Sequence, residues 1–270
     1  MPLPATLFIE YQGSRLHYHR FGYGNQWLFC FHGYGEEGEK FLFLEEALSQ
    51  THTVIAIDMP FHGKTDWRAP LLLEPVVLMD IIRQIVPPGI TIQLLGYSMG
   101  GRVCLQLLEM YPKEISHLVL LAPDGLHKNP WQKLATQTWL GHQLFRVTMQ
   151  YPGWMFTMMG LATKFRLFNK SISRFAHHYL DDAGERQKLY QRWTCMRKFR
   201  PDLHQLKQTI AAHRIPVHLL FGRYDRVIVS KHGFRLQEGL EDLITVEELE
   251  TGHHLLQEKY KASLLKMLTP

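Results

Sequence analysis

The stretch Thr91-Ile92-Gln93-Leu94-Leu95-Gly96-Tyr97-Ser98-Met99-Gly100-Gly101-Arg102 decides the fold. A short apolar run, Thr91 to Leu95, leads into a serine flanked by glycines, and a helical pattern follows from Arg102 to Met110. The spacing fits G-x-S-x-G, in which a serine sits on a sharp strand-to-helix turn. Gly96 and Gly100 leave the room that strand and helix need to approach each other there. The helix N-terminus would aim the Met99 N–H at a developing oxyanion. Without chemistry, the same residues would form an ordinary glycine-rich turn.

Outward from this turn, compact apolar runs alternate with helical patterns: Trp27 to Phe31, Thr53 to Ile57, His117 to Leu121, Val217 to Phe221 and Ile244 to Leu249. Thr6 to Tyr11 and Arg15 to Arg20 precede them as alternating runs joined at Gly13-Ser14, which predicts an antiparallel hairpin. Buried strands separated by helices predict an α/β fold with a mainly parallel sheet covered on both faces. Between Leu121 and Val217 the chain is helical in pattern and offers no strand. It is read as an inserted cap, with residues 1–123 and 206–270 as core and 124–205 as the insertion.

A nucleophilic serine needs a base, and the base needs an acid to orient it. Asp225 closes Phe221-Gly222-Arg223-Tyr224-Asp225 directly after one strand, and His253 follows the last strand in Thr251-Gly252-His253. Each has a rival. His254 adjoins the base, and Asp124 in Ala122-Pro123-Asp124-Gly125 ends an earlier strand.

These motifs, in the order Ser, Asp, His, resemble the α/β-hydrolase superfamily over nearly the whole chain except the insertion. His32-Gly33-Tyr34-Gly35 is similar to the family's HGxG oxyanion loop, and Asp58-Met59-Pro60-Phe61-His62-Gly63-Lys64-Thr65 to its D-x-P-G-H-G-x-S loop, departing at Phe61 and Thr65. The resemblance implies an eight-stranded, mostly parallel sheet with a helical cap, and Ser98, Asp225 and His253 as catalytic residues. It also implies oxyanion donors in the Tyr34 and Met99 N–H groups. His32, Gly33, Tyr97 and Arg102 then fall among the substrate-binding candidates. The expected reaction is hydrolysis of a carboxylic ester or thioester through an acyl-enzyme. The elbow also resembles that of the menaquinone-pathway synthase that eliminates pyruvate, in which Arg102 would meet a substrate carboxylate. Haloalkane dehalogenases and epoxide hydrolases carry an aspartate where Ser98 stands.

Gly33-Tyr34-Gly35-Glu36-Glu37-Gly38 also fits G-x-G-x-x-G, with Asp58 twenty residues on, as a dinucleotide site would have. Glu36 and Glu37 would then repel the pyrophosphate, so a nicotinamide-dependent dehydrogenase is a remote alternative. Sixteen histidines invite metal, but no HExxH or Cys/His ligand spacing is present. His17 and His19 lie in a strand and His177-His178 in the insertion, and all are expected to be solvent-facing or hydrogen-bonded. No cofactor and no metal are expected.

The chain of 270 residues is 46% apolar and 20% charged, as a folded enzyme would be. Its net charge of +5 is uneven: residues 125–200 hold thirteen Lys/Arg against three Asp/Glu, leaving the rest net acidic. That asymmetry points to a local surface for an anionic substrate, a coenzyme A moiety or an acidic membrane surface rather than to nucleic acid. Arg166, Arg174, Arg192, Arg197 and Lys198 are the cations concerned, and a solvated basic face is the alternative. The insertion is rich in aromatics and methionine, and Trp154 and Met158 are its candidates for contacting an apolar acyl group. Trp131, Trp139, Trp154, Phe156, Phe165, Phe168, Phe175 and Trp193 are read together: most pack the helices of the insertion, and about a third line a pocket. The first ten residues lack signal-peptide features, and Trp154 to Ala162 is shorter than the ~20 residues of a spanning helix. Cys30, Cys104 and Cys195 lack disulfide or zinc spacing, so a cytoplasmic protein with reduced thiols is expected.

Overall fold

The computed structural model describes residues 5–127, 130–164 and 180–269. Their strands are β1 (Ala5–Tyr11), β2 (Ser14–Phe21), β3 (Gln26–Phe31), β4 (His52–Ile57), β5 (Ile92–Tyr97), β6 (Ile115–Leu121), β7 (Val217–Gly222) and β8 (Ile244–Leu249). They form one eight-stranded sheet in the order β1-β2-β4-β3-β5-β6-β7-β8. The pairs β1/β2 and β2/β4 are antiparallel and all the others parallel. The α/β class and the mixed sheet follow the sequence reading.

The turn of the first hairpin differs from the reading by one residue. Tyr11 pairs with Ser14, so Gln12-Gly13 makes the turn, with φ of 46° and 76°. Two successive positive φ values match the twist of the flanking strands. Ser14 belongs to the strand instead, where its buried Oγ accepts the Arg68 and Ala69 N–H groups.

The central strands are buried because helices cover both faces. Every residue of β4 is buried, as are Leu28 to Phe31 of β3 and Leu118 to Leu121 of β6. Each large apolar side chain removed from water here contributes about 1.5–3 kcal/mol. The Pro75–Ile85 helix shows the matching design: Pro75 starts it, and Pro75, Leu78, Met79 and Ile82 make its buried stripe.

The chain divides into two compact units, one reaching His127 and resuming at Lys198, the other ending at Arg197. Both boundaries fall inside the expected insertion of 124–205. Asp124 stays with the core because its carboxylate pairs with Arg102 at 2.6 Å. Residues after Lys198 stay because the Arg200 N–H donates to Gln106 Oε1 and the Asp202 N–H to Glu109 Oε2, both at 2.6 Å. Asp202 then caps the Leu203–His213 helix, which begins before residue 206.

The second unit is helical: Pro130–Gln137, Trp139–Gln150, Gly153–Lys164 and Ala183–Cys195. Thr138 and Asp182 cap two of these helices through the Gly141 and Glu185 N–H groups. Phe145 packs between the rings of Tyr190 and Trp193, each at 5.6 Å. Trp139 is 77% exposed. Phe165, Arg166, Phe168, Arg174, Phe175, His177 and His178 lie outside the described residues, as does the side chain of Trp131.

Candidate active site

Ser98 follows β5 directly and stands at the N-cap position of the Met99–Met110 helix, with φ 49° and ψ −112°. A non-glycine residue with positive φ carries a strain of order 1–3 kcal/mol, held here by hydrogen bonds on both sides. The Ser98 N–H donates to Leu121 O, and Ser98 O accepts the Gly101 and Asp124 N–H groups, all at 2.9 Å. A Cβ on Gly100 would collide with the Phe31 carbonyl, so only glycine lets the helix start come this close to the end of β3. That approach brings the segment after β3 beside the helix N-terminus.

Ser98, His253 and Asp225 converge from three loops. His253 Nε2 lies 3.0 Å from Ser98 Oγ, and His253 Nδ1 lies 2.7 Å from Asp225 Oδ2. The Asp225 side chain is fully buried, and its Oδ1 accepts the Val227 and Ile228 N–H groups at 2.7 and 3.0 Å. Those donors leave Oδ2 directed at the imidazole. The loop carrying His253 lies close against the end of β7, since a Cβ on Gly222 would strike the carbonyls of Thr251 and Gly252, and the Tyr224 N–H donates to Thr251 O at 2.9 Å. The Tyr97 hydroxyl adds a hydrogen bond to His253 O at 3.1 Å. Tyr97 is thus brought to the site from the buried side, as a support for the histidine loop. Burial, with the nearby Glu36 and Asp225 charges, pushes its phenol up.

The rival residues stand elsewhere. His254 is exposed, with its ring centroid 6.3 Å from that of His253. Asp124 is engaged with Arg102, and its Oδ1 accepts the Gly125 N–H at 2.7 Å.

The HGYG segment forms a turn closed by the Glu36 N–H donating to Gly33 O at 3.2 Å, with Gly35 at φ 77°. Gly33 O also lies 2.7 Å from His32 Nδ1, which requires a proton on that nitrogen. His32 Nε2 then accepts the Met59 N–H at 3.0 Å. Because a trans peptide is planar, holding Gly33 C=O toward His32 turns the Tyr34 N–H the opposite way. His32 and Gly33 therefore shape the turn from within. Sequence reasoning gave Glu36 no part in this site, yet its Oε2 accepts the Gly33 N–H at 3.3 Å. Burial raises the Glu36 carboxyl, opposed by the Gly33 N–H and by Lys40, His254 and His253.

The two departures in the loop after β4 are each accommodated locally. Phe61 adopts φ 64°, the left-handed conformation that glycine takes most easily. The Thr65 hydroxyl donates to Asp58 O at 2.6 Å and accepts the His17 N–H at 2.9 Å. Asp58 itself is a buried hub: its carboxylate holds His17 Nδ1 and the Gly38 N–H at 2.6 Å and the Lys64 N–H at 2.8 Å. This differs from a dinucleotide site, where Asp58 would face a ribose and the Gly33 N–H a phosphate. His17, His19 and Asp58 are buried together within 4.8 Å, a grouping of metal-ligand types that the strand reading of His17 and His19 did not foresee. The three bonds already taken by the carboxylate make it a hydrogen-bonded brace. Trp154 and Met158 lie on the Gly153–Lys164 helix of the second unit, 43% and 61% exposed. Among the described residues, no helix is long and apolar enough to cross a membrane.

Three comparisons bear on kinship. The chain is similar to the uncharacterized hydrolase YugF of Bacillus subtilis, 24% identical over 241 residues, covering 87% of this chain and 86% of that protein. A second B. subtilis protein, named as a 2-succinyl-6-hydroxy-2,4-cyclohexadiene-1-carboxylate synthase, is 35% identical over 98 residues, or 34% of each chain. The chain spans about a third of the length of the curated relatives it matches at 30% identity or more. Among solved structures, the thioesterase domain from the curacin biosynthetic pathway superposes with a TM-score of 0.65 at 15% identity, covering 98% of this chain and 99% of that one. At that identity the likeness speaks to fold. The family described as alpha/beta hydrolase fold matches residues 26–260, and the chain belongs to it.

Proposed function

We propose that this protein is a serine hydrolase that cleaves a carboxylic ester or thioester through an acyl-enzyme. One observation carries the reading: the unbroken line from Asp225 Oδ2 through the His253 ring to Ser98 Oγ, at 2.7 and 3.0 Å. In this reading Ser98 Oγ attacks the carbonyl carbon as its proton passes to His253 Nε2. Asp225 keeps Nδ1 protonated and so leaves Nε2 free to accept. The Tyr34 and Met99 N–H groups receive the oxyanion, and the imidazolium returns its proton to the departing alkoxide or thiolate. Water, deprotonated by the same imidazole, then releases the acid and restores Ser98.

The helical unit is proposed to supply acyl contacts, with Trp154 and Met158 as the residues to test. Its basic character supports an anionic portion in the substrate, and the buried thiols of Cys30 and Cys104 support a reducing, cytoplasmic setting. The pyruvate-eliminating reading is less favoured, because Arg102 would have to leave Asp124 to bind a substrate carboxylate.

A fluorophosphonate probe is expected to label the wild-type protein on Ser98, and Ser98→Ala should abolish both labelling and p-nitrophenyl ester turnover. Full esterase activity in that variant would reject the proposal. Turnover of the succinyl-cyclohexadiene substrate without ester hydrolysis would reject it in favour of the lyase.

A further inference from the structure

We infer that Glu36 is a positioning residue for the oxyanion turn: its carboxylate takes the Gly33 N–H and thereby fixes the peptide from which Tyr34 donates. The inference rests on the esterase reading and adds a side chain that acts only through the backbone.

Gly33 is the residue whose rotation aims the Tyr34 N–H, and glycine restrains its own φ and ψ least of all residues. Its carbonyl side is held twice, by the Glu36 N–H at 3.2 Å and by His32 Nδ1 at 2.7 Å. Its N–H side is held by Glu36 Oε2 at 3.3 Å. Glu36 therefore bonds Gly33 reciprocally, N–H to carbonyl and carboxylate to N–H, in the manner of a capping box closed on a turn instead of a helix. The fit around this residue is close. A Cβ on Gly33 would stand 2.8 Å from the Tyr97 ring and 3.0 Å from Glu36 Oε2. Gly33 is thus wedged between the carboxylate and the ring whose hydroxyl holds His253 O.

Keeping a half-buried carboxylate here costs desolvation, as its raised pKa direction indicates, and a solvated side chain would avoid that cost. The return is orientation. An oxyanion donor works through its position in the transition state, so slack in the turn should appear in kcat and leave ground-state binding alone.

The test uses Glu36→Ala and Glu36→Gln in the full chain, with a p-nitrophenyl ester as substrate. An alkyl boronic acid serves as the probe, since its adduct on Ser98 places a B–O group where the oxyanion forms. Glu36→Ala is expected to lower kcat about 10-fold with KM within about twofold, and to weaken the boronic acid by the same factor. Glu36→Gln, whose amide oxygen can accept the same N–H, should stay within about threefold of wild type in both. Two outcomes would overturn the inference: Glu36→Ala with wild-type kcat and boronate affinity, or Glu36→Gln as impaired as Glu36→Ala, which would make charge beside His253 the active property. If Glu36→Ala does not fold, the glutamine variant decides alone, and a loss above about 10-fold overturns. Ester turnover surviving Ser98→Ala would remove the parent reading as well, whereas the Glu36 outcomes remove only this one.

Discussion

Arg102 Nη2 sits 2.6 Å from Asp124 Oδ2, and this ion pair occupies two residues that had each been candidates for chemistry. Asp124, thus engaged, is not the acid that faces His253. Asp225→Asn is expected to lower kcat by up to ~10⁴-fold, because an amide no longer selects the required imidazole tautomer. Asp124→Asn should lower kcat less than about 10-fold and destabilise the fold by about 1–2 kcal/mol, since Arg102 loses a partly buried partner. Steady-state kinetics with urea unfolding of both variants distinguishes the effects. A larger kcat loss in Asp124→Asn would move the acid to the loop after β6.

His117 gives the fold an acid sensitivity of defined sign. Burial, with His218 and His52 nearby, pushes its imidazole down to about 4. In the unfolded chain the group titrates near 6.5, so between these values the unfolded state binds the extra proton. The stability is fully present above about pH 6.5 and is lost progressively as pH falls to about 4, by up to about 3 kcal/mol. His52 and His218, also lowered by burial, act in the same direction. Urea midpoints at pH 7.5 and 4.5 should diverge strongly in wild type and less in His117→Gln. Equal divergence in both would place the sensitivity elsewhere.

Thr65 joins β2 to the loop after β4 through one donor and one acceptor bond. Thr65→Ala leaves the buried His17 N–H without that acceptor and should cost about 1–3 kcal/mol, whereas Thr65→Ser should cost under about 1 kcal/mol. Thermal unfolding of the pair measures the hydroxyl against the methyl. Equal losses would show that the methyl group matters.

Most of the sheet was legible because its signal is local. β7 reads as Val-His-Leu-Leu-Phe bounded by turn residues, and β6 and β8 read likewise. The meeting of Ser98, Asp225 and His253 was legible for a related reason: each lies within four residues of a strand's end, where a few residues specify the backbone. Glu36 was not, because its bond to Gly33 depends on the path of a turn, and from the sequence it read only as an acid repelling phosphate. The burial of His17 and His19 was equally hidden, since an alternating strand does not reveal that Asp58, forty-one residues from His17, arrives beside it. The hairpin turn slipped by one residue because Gln12 gives no hint of a positive φ.

The basic stretch from 125 to 200 predicts a salt effect confined to anionic substrates. Charge acts at the encounter and is screened beyond about 8 Å at ~0.15 M salt. Raising salt should raise KM for an anionic ester and leave its kcat nearly unchanged, while KM for a neutral ester of equal chain length stays flat or falls. Parallel salt titrations of the two esters measure this. Identical responses would leave the basic residues as a solvated face.

β6 and β7 are hydrogen-bonded neighbours running in parallel, and the Leu203–His213 helix lies between them in the chain. A strand, a helix and a parallel strand already make a complete crossover, and the helical unit is spliced into its first connection. The strand order therefore does not depend on the helices Pro130–Gln137, Trp139–Gln150, Gly153–Lys164 and Ala183–Cys195. A change in the length of that connection would leave the order and direction of the eight strands as they are.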